Sequence, residues 1–234
     1  MNDDDPTAPG PGRTMSRMLC DQLDWHWRHH LRPRFRGLPG HHEPLTDAEY
    51  LWEPVPDTWS VRPRGTSTAP VQAGSGDFTI DFAFPEPTPA PLTTIAWRLG
   101  HVIVGCLAVR NAAHFGAPAA SYESWEYAGD AASALDQLDE QIAVWLAGVR
   151  GLDDDGLARP VGPAEPFPDA PMTELVLHIN RELIHHLSEV CLLRDLHRHT
   201  HSPSHPGPLL GSDAGPAVPD PTTPATTTTE GVQR

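Results

Sequence analysis

One helical segment in the last third of the chain concentrates the side chains best suited to chemistry. It places three histidines and two glutamates three and four residues apart. At about 100° per residue, this spacing puts them on roughly one third of the helix circumference. Imidazole and carboxylate groups gathered beside apolar residues are costly to bury without a partner. A divalent metal ion is the simplest partner, and the candidate ligands are His178, Glu182, His185, His186 and Glu189.

A further histidine, His101, lies in an earlier apolar helical segment, between Gly100 and Gly105. Because glycine has no side chain, these two positions are expected to let another group approach the helix closely. A single histidine in such a place is more often a hydrogen-bonded core residue than a ligand. Helical bundles nevertheless build metal sites from facing helices, so His101 and an i,i+4 pair from the later helix would supply three ligands.

Residue spacing alone does not decide which pair on the later helix would bind the metal. His178 with Glu182, and Glu182 with His186, are spaced i,i+4, while Glu182 with His185 is spaced i,i+3. Glu182 belongs to every pair and is therefore the best single candidate. The alternative interpretation is a charged stripe that faces solvent, although apolar residues surround these positions on the helix.

Two better-known metal patterns are absent from the sequence. A metalloprotease helix requires His-Glu-x-x-His, whereas His41-His42-Glu43 leads directly into Pro44. A di-iron carboxylate site requires two Glu-x-x-His motifs and two further helical glutamates. Glu182-x-x-His185 supplies one such motif, and the earlier helices supply neither a second motif nor the extra glutamates.

Hydrophobic periodicity predicts four long helices, with one long connection between the first and the second. In that connection, Thr46-Asp-Ala-Glu49 is a capping-box pattern that predicts a short helix. Phe78, Ile80, Phe82 and Phe84 alternate with other residues, which predicts an extended or β element with one buried face. The fold class is therefore all-α, a four-helix bundle with helices at about residues 16–35, 93–115, 131–149 and 169–196.

Composition limits the class of protein. The chain has 234 residues and a formal charge of −15, and all 16 basic residues are arginine. Such an acidic surface repels phosphate backbones, which disfavours a nucleic-acid partner. Cys20, Cys106 and Cys191 stand singly in apolar runs. They are predicted to be buried free thiols in a protein of a reducing compartment.

The sequence predicts one folded domain, residues 15–198, between two disordered tails. Residues 1–14 are rich in Asp, Pro and Gly, and residues 199–234 are rich in Ser, Pro, Gly and Thr. The first residues lack a signal-peptide pattern, and the longest apolar run is too short for a membrane span. The expectation is a soluble cytoplasmic protein without a membrane partner.

Four segments carry a resemblance to a known family. They are spread over about residues 15–198 and are Leu45–Trp52, Asp57–Pro63, Trp97–His101 and Glu182–Glu189. Their order and spacing resemble those of the DinB-like superfamily of metal-binding helical bundles. That superfamily includes the mycothiol-dependent maleylpyruvate isomerases and related thiol S-transferases.

The resemblance implies a ranking of the candidate ligands. His101 matches the metal histidine that family members place on their second helix. The family's fourth helix contributes His-x-x-x-His or, in the mycothiol isomerase branch, Glu-x-x-x-His, which Glu182 and His186 match. Family members often have glutamine three residues further on, where this chain has Glu189. The resemblance thus implies a metal bound by His101, Glu182 and His186.

The expected function is that of a metal-dependent enzyme with a small-molecule substrate. The metal is expected to be Zn²⁺, although Ni²⁺ or another divalent ion suits the same ligands. With an open coordination position it would activate water or a low-molecular-weight thiol, with mycothiol as the cosubstrate that the resemblance suggests. His178, His185 and Glu189 would orient the ligands or carry a proton.

The alternative is a non-catalytic bundle that binds a metal or a small molecule. The last helix is apolar around most of its circumference, so a homodimer through that helix also stays open.

Overall fold

The computed structural model describes residues 14–37 and 43–201. The fold is mostly helical, with a small three-stranded sheet. The elements in chain order are α1 (Met15–His26, continued by the π-helical Trp27–Leu31 and by Arg32–Arg36), α2 (Asp47–Tyr50), β1 (Val61–Pro63), β2 (Val71–Ala73), β3 (Phe78–Phe82), α3 (Ile95–Gly100, continued by the π-helical His101–Ala108 and by Val109–Phe115), α4 (Ala131–Arg150), α5 (Asp154–Ala158) and α6 (Met172–His201).

The four predicted long helices all form, and local sequence explains where they start and stop. Thr14, Thr94 and Asp130 are the N-caps of α1, α3 and α4, and each side chain accepts a hydrogen bond from a backbone N–H. The last turn of α3 ends at Gly116, whose φ of 72° lies in the left-handed region that favours glycine. The predicted short helix at Thr46 forms as α2 with both capping-box hydrogen bonds.

Packing of the long helices creates the core and places α3 beside α6. Both α4 and α6 pack against α1 and against α3. The interior is filled by the apolar stripes of these helices, together with residues from the connection between α1 and α3. Its largest fully buried apolar side chains include Trp145, Tyr50, Phe35, Leu23, Ile80, Ile95, Leu99, Ile103, Leu107, Leu138 and Ile142.

The three strands form an antiparallel sheet with β3 in the middle, in the order β1-β3-β2. Val61 of β1 lies opposite Ile80. The predicted strand is confirmed, but the prediction that it buries one face is wrong. Thr79, Ile80 and Asp81 are all buried, while Phe84 lies beyond the strand and is 83% exposed.

On the polar face of β3, the connection supplies partners for the buried Asp81. Asp81 accepts a hydrogen bond from the backbone N–H of Ser60 at 2.9 Å and pairs with Arg62 at 3.2 Å. The indole N–H of Trp97 donates to the Asp81 carbonyl at 2.8 Å. Through this bond, the sheet holds the Trp97 ring in place on α3.

Most of the two predicted tails lies outside the described residues. Within the described part, Thr14 caps α1, and α6 continues to His201 instead of ending near residue 196. Trp52 lies edge-on to His197 and His201 at this end of α6, with ring centroids 5.3 and 5.8 Å apart. Among the described helices, none is both long and apolar enough to cross a membrane.

Candidate metal centre

The histidine on α3, His101, opens an eight-residue π-helical segment, His101–Ala108. In an α-helix, residues five apart lie about 140° apart around the axis. The i→i+5 hydrogen bonds of a π-helix bring them toward one face. The N–H of Val109 makes such a bond to the Val104 carbonyl. In this geometry the Cys106 Sγ atom lies 3.8 Å from Nε2 of His101.

Aromatic side chains hold the His101 ring on two sides. Trp97 stacks on it with centroids 5.3 Å apart and planes 11° apart. The Tyr122 hydroxyl lies 2.8 Å from its Nδ1 atom. Burial, and secondarily the neighbouring His186, lowers the pKa of His101 to about 4. The ring is therefore neutral at physiological pH, which is the form that binds metals.

His186 on α6 meets His101 across the contact between the two helices. Their ring centroids are 5.0 Å apart, with planes at 86°. Nε2 of His186 lies 3.4 Å from a carboxylate oxygen of Glu182. Burial is the main influence on the pKa of both His101 and Cys106, and the charge of Glu182 raises both values. His186 thus contacts both His101 and Glu182, although the ligating atoms of all three residues do not lie within 4.8 Å of one another in the described part of the chain.

Glu189 fixes the His186 ring from the opposite side. One oxygen of Glu189 lies 2.9 Å from Nδ1 of His186 and also accepts a hydrogen bond from Arg98. Burial lowers the pKa of Arg98, and the charge of Glu189 opposes that shift. Because Nδ1 of His186 is engaged by Glu189, Nε2 is the nitrogen that faces Glu182.

The remaining two histidines of the predicted cluster lie at its edge. Nδ1 of His178 is 3.5 Å from the second oxygen of Glu182. Nε2 of His185 is 3.5 Å from Glu189, and the His185 side chain is 62% exposed. In the described part of the chain, the trio of ligating atoms that lie within 4.8 Å of one another belongs to His185, His186 and Glu189. This trio differs from the predicted one.

The predicted trio has the donor chemistry of a divalent-metal site, with two imidazoles and a carboxylate from two facing helices. Its half-buried histidine, His101, is neutral and contacts His186 directly. The other trio comes from α6 alone and contains an exposed histidine, His185. Its carboxylate, Glu189, is already paired with Arg98. Arg98 repels a second cation at that carboxylate from a largely buried position. The guanidinium next to Glu182 is that of Arg181, which is 3.6 Å away and 68% exposed, so that water screens its charge more strongly. These differences make the predicted trio the better candidate for a metal.

Sequence reasoning did not select Tyr122 or Cys106 as site residues. The prediction that glycines let another group approach α3 is confirmed, and the approaching side chains are Tyr122 at Gly105, and Ile80 with Tyr127 at Gly100. A Cβ atom on Gly105 would overlap the Tyr122 hydroxyl. A Cβ atom on Gly100 would lie 3.3 Å from the Tyr127 ring. Gly105 was therefore the one sequence signal that pointed to a close neighbour of His101.

A cavity of about 360 Å³ opens at the edge of the cluster. Its surface is largely apolar, with Phe167 and Leu175 among the lining residues, and both His178 and Arg110 contribute to the wall. Burial dominates the pKa of Cys106 and raises it, while the charge of Arg110 lowers it. Arg110 therefore lines the cavity and is also close enough to Cys106 to influence its pKa.

This architecture, a helical domain with a His/Glu cluster between two helices, agrees with the comparison with protein families. The model of the DinB superfamily matches residues 22–190. The chain therefore belongs to the DinB superfamily. The comparisons with curated proteins and with solved structures gave no match.

Proposed function

We propose that this protein binds one divalent metal ion, Zn²⁺ in the first instance, between α3 and α6. The proposed ligands are His101, Glu182 and His186. The metal would serve an enzyme that activates a low-molecular-weight thiol or water and acts as a thiol S-transferase or isomerase. In this proposal the four long helices form a four-helix bundle, the architecture in which facing helices supply ligands to a metal.

The observation that carries the proposal is the contact of His101 with His186 across two helices, with Glu182 beside it. Packing alone gives little reason to place two imidazoles and a carboxylate in this position, because polar groups lose hydration when they are buried. Coordination to a cation compensates this loss. Members of the DinB superfamily are often metal-binding, which supports the same conclusion.

A metal at these three ligands would supply a Lewis acid that lowers the pKa of a bound thiol or water. Side chains of the protein would orient the ligands and exchange protons. Tyr122 orients the His101 ring, and Glu189 orients the His186 ring. His178 lines the cavity and contacts Glu182, so it is placed to exchange a proton with a substrate.

The metal content of purified protein tests the ligand set. We expect one divalent ion per chain in the wild type, and a loss of about 10-fold or more in His101→Ala and Glu182→Ala. His185→Ala is the matched control, because it removes an imidazole from the same face of α6. Equal metal content in all four proteins would reject the proposal. Loss in His185→Ala with retention in His101→Ala would assign the metal to the other trio.

The reaction is tested separately from the metal. Metal-loaded protein is assayed with a panel of low-molecular-weight thiols, mycothiol included, each paired with small electrophiles. We expect turnover with at least one pair, and loss of that turnover in His101→Ala. Stoichiometric binding without turnover would instead identify a non-catalytic metal protein.

A non-catalytic protein that binds a small molecule is the second candidate. The cavity beside His178 supports it, because its volume and largely apolar wall suit a compact apolar ligand. A ligand that binds equally well to wild-type protein and to metal-free His101→Ala would favour this candidate.

A further inference from the structure

We infer that Cys106 is a fourth protein ligand of the metal proposed at His101, Glu182 and His186. The inference rests on the proposed function and deepens it, because a thiolate ligand decides how an incoming thiol reaches the metal. Its structural basis is the π-helical segment of α3, which aligns a cysteine with a histidine five residues earlier.

The separation of the two ligand atoms suits a shared metal. Zn–N bonds are about 2.1 Å and Zn–S bonds about 2.3 Å, so ligand atoms at a near-tetrahedral angle are about 3.6 Å apart. The observed distance from Nε2 of His101 to Sγ of Cys106 is 3.8 Å. One ion can therefore bond to both atoms with only a small adjustment of either side chain.

The orientation of the His101 ring supports the same conclusion. Its Nδ1 atom is engaged by the Tyr122 hydroxyl, which leaves Nε2 as the nitrogen available to a metal. Nε2 is also the atom that faces Cys106. A metal on this nitrogen would therefore lie next to the sulfur of Cys106, which is 4% exposed and shielded from bulk water.

The other two cysteines are buried at different places in the helices. Sγ of Cys20 donates to the Leu146 carbonyl at 3.6 Å, in the packing of α1 against α4. Cys191 lies on α6 beside Arg34, whose guanidinium donates to the Cys191 carbonyl at 3.4 Å. Both thiols are free. They serve as matched controls for the loss of a buried sulfur atom.

Four protein ligands would give the centre a closed coordination sphere at rest. Closed tetrahedral sites are typical of structural zinc, whereas catalytic zinc keeps one position open. A substrate thiol must then take the place of the Cys106 sulfur or enter as a fifth ligand. The Cys106 side chain would thus set how readily the metal accepts a thiol.

Cobalt(II) substitution tests the inference without an activity assay. The resident metal is removed with a chelator and replaced by Co²⁺, whose visible absorption reports a bound ion of low coordination number. A thiolate ligand adds a charge-transfer band in the near ultraviolet. We expect this band in the wild type, in Cys20→Ser and in Cys191→Ser. We expect its complete loss in Cys106→Ser and in Cys106→Ala, with the visible bands retained in at least one of these two.

Each outcome decides the matter. Visible bands without the near-ultraviolet band in the wild type would overturn Cys106 ligation and leave the three-ligand proposal intact. A near-ultraviolet band that survives in Cys106→Ser would also overturn it. The wild-type spectrum gives a result even if both Cys106 variants fail to fold. Failure of the wild type to bind Co²⁺ would overturn the proposed function, and this inference with it.

Discussion

The Tyr122 hydroxyl lies 2.8 Å from Nδ1 of His101, and it comes from the loop between α3 and α4 rather than from the helices that carry the candidate ligands. This contact fixes both the plane and the tautomer of the His101 ring when Nδ1–H donates to the hydroxyl. Nε2 is then the unprotonated nitrogen. The loop therefore determines which atom of the helix is available to a metal.

Substitution Tyr122→Phe should weaken metal binding far more than it weakens the fold. Partners that orient a ligating histidine are typically worth about 10-fold to 100-fold in metal affinity. The lost hydrogen bond costs only about 1 kcal/mol of stability. Competition with a chromophoric chelator measures the affinity. Tyr127→Phe is the control, since the Tyr127 hydroxyl donates to the Tyr122 carbonyl at 3.2 Å. Equal affinities in the two variants would contradict this role.

Substitution Gly105→Ala should also weaken metal binding, because the added methyl group would crowd the Tyr122 hydroxyl. Alanine in a helix is ordinarily favoured over glycine by about 1 kcal/mol. Here the added Cβ atom would overlap the Tyr122 hydroxyl, and overpacking costs about 1–3 kcal/mol. We therefore expect a net loss of stability in chemical denaturation, and weaker metal binding by chelator competition. Gly151→Ala at the end of α4 is the control, because its Cβ atom would meet only two carbonyl oxygens, at 3.4 and 3.6 Å. A Gly105→Ala protein with wild-type affinity would argue against this account.

The long helices could be predicted because their signals are local. The threonine before α3 and the glycine after it are read directly from the sequence, and both act as caps in the structure. The strand at Phe78 was also predictable, but its burial was not. Thr79 and Asp81 look like solvent-facing residues in the alternating pattern. Asp81 is buried because a distant part of the connection supplies partners for its carboxylate. Thr79 is also buried, although its hydroxyl has no hydrogen-bond partner among the described residues.

The candidate site likewise contains some contacts that the sequence predicts and others that it does not. The i,i+4 spacing on α6 predicts the neighbours Glu182 and His186, which the structure places 3.4 Å apart. The contact between His101 and Cys106 was not predictable, because α-helical geometry would place residues five apart on different faces. Tyr122 belongs to a loop with no periodic pattern. Periodicity therefore identifies residues that share a helix face. It does not identify contacts that depend on a π-helical segment, such as His101 with Cys106, or on a loop, such as His101 with Tyr122.

Glu189 contacts His186 and Arg98, and its substitution separates an orienting role from a ligand role. In Glu189→Gln the amide oxygen can still accept a hydrogen bond from Nδ1–H of His186, so we expect metal affinity within a few-fold of wild type. Glu189→Ala removes the acceptor and should lower the affinity by about 10-fold. Chelator competition measures both variants. If Glu189 were itself a ligand, as the trio with His185 and His186 would require, Glu189→Gln would already lose the metal.

Arg194 connects α6 to the segment between α1 and α2, although it is only 2% exposed. Its guanidinium donates to the Glu49 carboxylate at 3.0 Å and also to backbone carbonyls of Arg34, Glu43 and Pro44. Since the charge and most of its donors have partners, this buried cation is compatible with a stable core.

Removal of that cation should be among the most destabilising single changes in the protein. We expect Arg194→Leu to lower the free energy of unfolding by about 3 kcal/mol or more, because it removes one of the two guanidinium groups that pair with the buried Glu49 carboxylate and leaves several carbonyls without their donor. Arg28→Ala is the control. The Arg28 side chain is 65% exposed, so its pair with Asp24 should contribute less than about 1 kcal/mol. Urea denaturation measures both, and similar losses in the two variants would contradict the prediction.

The carboxylate of Glu49 should make stability depend on pH in the acid range. Burial alone would raise its pKa, but hydrogen bonds from the Thr46 backbone N–H, from Arg194 and from Arg198 outweigh burial and hold the pKa below its usual value of 4.5. The unfolded chain therefore binds the proton at a higher pH than the folded chain does. The stability contributed by Glu49 is present above pH 4.5 and is lost as the pH falls toward the lower folded pKa.

Glu49→Gln should therefore be less stable than wild type at neutral pH and lose less stability on acidification below pH 4.5. Urea denaturation at neutral pH, and at several values below 4.5, measures both differences. Glu43→Gln is a matched control, since it removes an exposed carboxylate from the same connection and should keep the wild-type acid dependence. If Glu49→Gln and wild type lost stability in parallel, the acid sensitivity would have to come from other carboxylates. Convergence of the two curves at low pH would assign it to Glu49, because protonation then removes from the wild type the same charge that the substitution removes.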